Sequence, residues 1–181
     1  MLKKDDFIDK KNLTIPKKKY ITVHCRHASK DKKNIYSNKI SQARNLKSTE
    51  FIHLAELLRE KFPNYSIMIV SDKTGCKFFK KICIQKKFKF IFSKNFSNSF
   101  VGDGALVLNS RYYFQLWSGG MCVFTYFSNL PYVRCTTTLT YEKPWAKHQL
   151  AYWHNKNNFL IENDNRVYSQ FLSHIKNLKI N

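Results

Sequence analysis

Ser66-Ile67-Met68-Ile69-Val70, followed at once by Ser71-Asp72-Lys73-Thr74-Gly75, is the stretch on which the fold turns. Four apolar residues in a row, two of them isoleucine, leave no polar face for solvent. A strand of that kind is covered on both sides, as in a parallel sheet. The polar turn behind it marks the C-terminal end. Upstream, Phe51, Leu54, Ala55, Leu57, Leu58 and Phe62 recur at spacings near three and four, an amphipathic helix with Thr49 as its N-cap and Pro63-Asn64 as its stop.

Working outward in both directions, the same alternation repeats. Tyr20-Ile21-Thr22-Val23-His24-Cys25 reads as a first strand, and a short helix over 76–84 leads to a strand at Phe88-Lys89-Phe90-Ile91-Phe92. A short helix begins at Asp103, which is placed to cap it. Tyr112 to Trp117 is the next strand, Met121 to Phe127 a helix, and Tyr132-Val133 a last short strand. A closing helix over 167–178 carries Val167, Phe171, Leu172 and Ile175 at helical spacing. The expectation is one α/β domain over 20–181, a Rossmann-like parallel sheet of about five strands with helices on both faces. Residues 1–19, with seven Lys and three Asp, read as a basic, linker-like lead-in.

Composition sets the outer bounds. The chain has 181 residues, 43% of them hydrophobic and 15% aromatic, enough for a packed core and too apolar for disorder. No apolar run approaches the ~18 residues of a membrane span. The first residues lack the apolar stretch of a secretory signal, which points to the cytoplasm. Five cysteines with no Cys-x-x-Cys spacing exclude a zinc signature and suggest reduced thiols, and six scattered histidines suggest no metal. The formal charge is +20, but 26 of the 32 basic residues are Lys and Asn occurs 16 times, the mark of an A- and T-rich coding sequence. Arginine, the better reader of phosphates and base edges, is scarce. The charge therefore reads first as a solvated surface with avidity for polyanions in low salt, open to peripheral contact with an anionic membrane. Nucleic acid is not the expected partner.

Ligands of such sheets sit beyond the C-terminal ends of the strands. That rule selects four places. Trp117-Ser118-Gly119-Gly120 links a strand to a helix; its two glycines let a ligand approach the backbone, and its free N–H groups with the Ser118 hydroxyl suit a phosphate. The same glycines would also serve a tight turn alone. His24 and Arg26 leave the first strand on one side. Arg26 suits a diphosphate or a surface ion pair, and His24 a ligand contact or a satisfied core position. Asp72 and Asp103 could accept hydrogen bonds from a ribose or base, or could act only as turn former and helix cap.

Taken in order, these motifs resemble the fucosyltransferase superfamily, whose GT-B-like fold uses GDP-fucose. His24-Cys25-Arg26 looks like its His-x-Arg motif, Ser71-Asp72 its second strand end, Asp103 to Ser110 its Asp-containing helix, and Trp117 to Gly120 its phosphate turn. The resemblance covers residues 20–133. It implies that Arg26 is catalytic, binding the donor diphosphate and assisting its departure. It implies further that His24 and Asp103 contact the base or ribose, and that Ser118 and Gly119 hold phosphate. His27 and Ser29 stand where the fuller motif has Arg and Asp, which leaves the donor open. The implied activity is metal-independent glycosyl transfer from a nucleotide sugar, GDP-linked in that family, to a glycan acceptor. No separate cofactor is implied. The chain would supply the donor-binding half, with an N-terminal acceptor domain as its partner. The competing class is a non-catalytic, basic polyanion-binding protein. The two differ in where the positive charge gathers: at the strand C-termini for the first, over one face for the second.

Overall fold

The computed structural model describes residues 13–27, 45–116, 130–135, 159–161 and 167–178, together with Met121 and Phe124. Its centre is a six-stranded, all-parallel sheet. In chain order the elements are β1 (Tyr20–His24), α1 (Ser48–Lys61), β2 (Ser66–Val70), α2 (Lys73–Gln85), β3 (Ile91–Phe92), α3 (Phe100–Leu108), β4 (Tyr113–Leu116), β5 (Tyr132–Cys135), β6 (Phe159–Ile161) and α4 (Val167–Asn177). The strands lie side by side in the order β3-β2-β1-β4-β5-β6. This is the doubly wound, Rossmann-like arrangement expected from the alternation. The sixth strand adds an edge at Phe159–Ile161.

Strand alternation divides the core into two layers. Ile21, Val23, Ile67, Ile69, Phe114, Leu116 and Val133 face one side, where Phe51, Leu54 and Leu58 of α1, Phe79 and Ile82 of α2, and Phe171 and Ile175 of α4 cover them. Tyr20, Met68, Val70, Tyr113 and Tyr132 face the other, covered by Leu106, Val107 and Leu108 of α3 with Met121 and Phe124. Both faces are dry, which is why β2 reads as an unbroken apolar run. The helix α3 is anchored by polar bonds as well as packing. The Tyr20 hydroxyl donates to the Leu106 carbonyl at 2.8 Å, and the hydroxyls of Thr22 and Ser110 lie 2.9 Å apart.

Several boundaries differ from the sequence reading, each for a local reason. The first helix begins at Ser48, not after Thr49: Lys47 takes the N-cap position, and its N–H donates to the Glu50 carboxylate at 2.8 Å. The second helix begins at Lys73 because Asp72 caps it, accepting from the Gly75 N–H at 2.7 Å. The third begins at Phe100, where Ser99 caps it by accepting from the Gly102 N–H at 2.9 Å. Asp103 is therefore not the cap; it lies in the first turn, buried. The strand expected over 88–92 pairs only at Ile91–Phe92. Leu13 and Ile15 pack against the α3 layer, and the Thr14 N–H donates to the Phe96 carbonyl at 3.1 Å. Cys25, Cys76 and Cys83 are free and buried. Cys122 and the Cys135 side chain lie outside the described residues, as do the helix expected over 121–127, apart from Met121 and Phe124, and the Val167 side chain.

Candidate functional site at the sheet switch point

The order β3-β2-β1-β4 reverses direction between β1 and β4, and in sheets of this kind the ligand crevice lies beyond the C-terminal ends of the two strands at that point. The end of β1 delivers side chains to it. His24 is the last residue of β1, paired in register with Val70 of β2 and Gln115 of β4. It points to the α3 side, two residues from Thr22. Arg26 comes two positions later, half-buried, its carbonyl accepting from the Leu46 N–H at 3.0 Å.

His24 is almost fully enclosed, and among the described residues its buried Nδ1 has no hydrogen-bond partner. Burial holds its pKa down to about 4. The neighbouring Arg26 charge adds to that shift, while the backbone at Leu116 and the Asp72 carboxylate oppose it. At neutral pH His24 is thus an uncharged hydrogen-bonding group. Arg26 is the permanent cation beside it. His27 lies flat on Phe78 of α2, ring centroids 3.6 Å apart and planes 3° from parallel. Its pKa is lowered by burial and raised in part by Asp72.

The sequence-selected residues fall into three groups. His24, Arg26 and Asp72 share one neighbourhood, since the charges of Arg26 and Asp72 both act on His24. Asp72 itself is exposed, with one oxygen committed to capping α2. Asp103 belongs to a different cluster: its carboxylate pairs with Lys94, from the 3-10 turn Ser93–Asn95 behind β3. Burial raises the Asp103 pKa, and Lys94 with the hydroxyls of Ser93 and Ser97 pulls it back. Ser118, Gly119 and Gly120 lie outside the described residues; the strand that precedes them, β4, ends at Leu116.

Two participants were missed in the sequence. Gln115 is fully buried beside His24 on the same face, and a lone amide inside the apolar run Tyr113-Phe114-Gln115-Leu116 was its available signal. Lys94 carried no such signal, because a lysine among 26 is invisible until its partner is seen. Among the described residues no three His, Cys, Asp or Glu gather as a metal set, and no helix is long and apolar enough to cross a membrane.

Comparison with known proteins bears on the fold. No family model matches the chain, and no curated protein matches its sequence. Among solved structures it is similar to the E. coli heptosyltransferase WaaC with ADP-2-deoxy-2-fluoro heptose, at a TM-score of 0.59 and 11% identity over 96% of this chain and 45% of that one. It is also similar to E. coli ADP-heptose LPS heptosyltransferase II, at a TM-score of 0.59 and 10% identity over 95% of this chain and 49% of that one. The chain spans about half the length of each. The fold is therefore the Rossmann-like α/β fold found within these GT-B glycosyltransferases.

Proposed function

We propose that this chain is the donor-binding half of a glycosyltransferase that uses a nucleoside diphosphate sugar. The observation that carries the reading is the placement of His24 and Arg26 together at the switch point of a β3-β2-β1-β4-β5-β6 sheet. The likeness to heptosyltransferases, one of them solved with an ADP-sugar analogue, supports it at the level of fold.

In this reading the acceptor hydroxyl forms a bond to the anomeric carbon and gives up its proton. The bond from that carbon to the diphosphate breaks, and the diphosphate leaves with the electron pair. The chain's task is to stabilise that departing charge. Arg26 does so with a guanidinium fork matched to phosphate oxygens; Ser118, Gly119 and Gly120, which lie outside the described residues, are the sequence's candidates for further phosphate contacts. Neutral His24 stands beside Arg26 at the strand end, where the motif resemblance would have it contact ribose or base. The motif resemblance favours a GDP donor and the structural neighbours favour an ADP donor, so the base is read by titration.

Arg26→Ala should weaken GDP or ADP binding by about ten- to a hundredfold, the worth of a charge-assisted hydrogen bond of roughly 1.5–3 kcal/mol. Lys86→Ala, at the far end of α2, should leave it unchanged in moderate salt. Calorimetric titration of both diphosphates into the three proteins checks this, and equal affinity in Arg26→Ala and wild type removes the site.

One observation favours the second reading, a polyanion-binding protein. Lys80 and Lys81 are exposed in the second half of α2, and Lys86, Lys87 and Lys89 come just after it, so much of the described charge lies away from the switch point. That reading predicts a steep salt dependence shared among many lysines, without a special role for Arg26.

A further inference from the structure

The opposite edge of the sheet, at the N-terminal ends of β2 and β3, holds a cleft of about 410 Å³. That volume falls within the range of small-ligand sites. Three exposed cations line it: Arg59 from the last turn of α1, and Lys87 and Lys89 from the turn between α2 and β3. Half-buried Tyr65 and Phe90 present rings to it, Phe90 being stacked on Phe88, while Phe62 is buried behind Tyr65, edge to face at 6.0 Å. Among the described residues no carboxylate lines the cleft. A second feature points to the same place. Lys87 has φ 56, and it is the one described non-glycine residue in the left-handed region. It closes the end of α2, where the Phe88 N–H donates to the Cys83 carbonyl at 2.9 Å, a position at which glycine is the usual and unstrained residue.

We infer that this cleft binds a small phosphomonoester carried on a planar ring, a nucleoside monophosphate in chemical class. The cations take the phosphate, and the rings take the flat face of the base. The site is separate from the switch-point crevice, which lies at the other end of the strands.

The test is calorimetric titration of adenosine monophosphate, ribose 5-phosphate and inorganic phosphate in moderate salt. It uses full-length Arg26→Ala protein, so that loss of the switch-point site does not enter, with and without Lys87→Gly. Adenosine monophosphate should bind the Arg26→Ala protein more tightly than either of the other two probes. Adding Lys87→Gly should weaken it by about tenfold, the loss of one charge-assisted contact. Because glycine relieves the backbone at this position, thermal unfolding should show the second variant no less stable, which separates lost binding from lost folding. The inference is overturned by unchanged affinity in Lys87→Gly, by ribose 5-phosphate or inorganic phosphate binding as tightly as the nucleotide, or by no binding at millimolar concentration.

Discussion

Acidification tests the environment of His24 directly. Its pKa is held down to about 4 by burial, against about 6.5 for an unfolded histidine. Between those two values the unfolded chain binds a proton that the folded chain refuses, so folding stability rises with pH across that window. The contribution is complete above pH ~6.5 and is lost as the pH falls towards 4. The difference of about 2.5 pK units makes the loss about 2 kcal/mol at pH 5 and about 3 kcal/mol at pH 4. His27, also lowered, acts in the same direction. Asp103, raised by burial, acts oppositely, because its folded carboxyl takes up a proton more readily than the unfolded one. Comparison with a non-titrating variant removes both. Urea unfolding of wild type and His24→Gln from pH 7 down to pH 4 should give profiles that diverge by those amounts, the variant being less sensitive to acid. Parallel profiles would refute the claim that His24 is buried and neutral, and with it the division of labour between His24 and Arg26.

The described contacts carry two further expected outcomes. Lys94→Met leaves the Asp103 carboxylate buried without its cation and should cost about 3 kcal/mol in urea unfolding; the double variant Lys94→Met with Asp103→Leu should recover most of it. If single and double variants are equally unstable, the pair is not what matters there. Lys87→Gly should raise the thermal midpoint by about 1–4 °C, since relief of a left-handed lysine (about 1–2 kcal/mol) exceeds the added unfolded-state freedom of glycine (about 0.4–1 kcal/mol). Lys87→Ala, which keeps the backbone strain, should not raise it, and an equal rise in both would show that charge, not backbone, was responsible.

Much of the architecture could be read from hydrophobic pattern alone. The all-apolar run Ile67 to Val70 implied burial on both faces, and that implication forced a parallel sheet, crossover helices and a ligand edge. His24, Arg26 and Asp72 were selected by that edge rule, and the structure sets the three in one neighbourhood. Residue pattern could not show what depends on partners distant in the chain. Asp103 looked like a helix cap because an acid before an apolar run usually is one. The cap is Ser99, and the fold brings Lys94 against Asp103 instead. Gln115 looked like one polar residue in a strand until the register set it beside His24. The sixth strand, three residues long, has too few positions for a period to show, and it exists because β5 offers an edge to pair with. The cleft at the far edge joins residues from two connections, 59–65 and 87–90, and that adjacency comes from β2 and β3 lying side by side. Local sequence carries periodicity and caps, because these are satisfied within a few residues. Charge pairing, register and cavities are satisfied across the sheet, so they are decided only when the chain has folded.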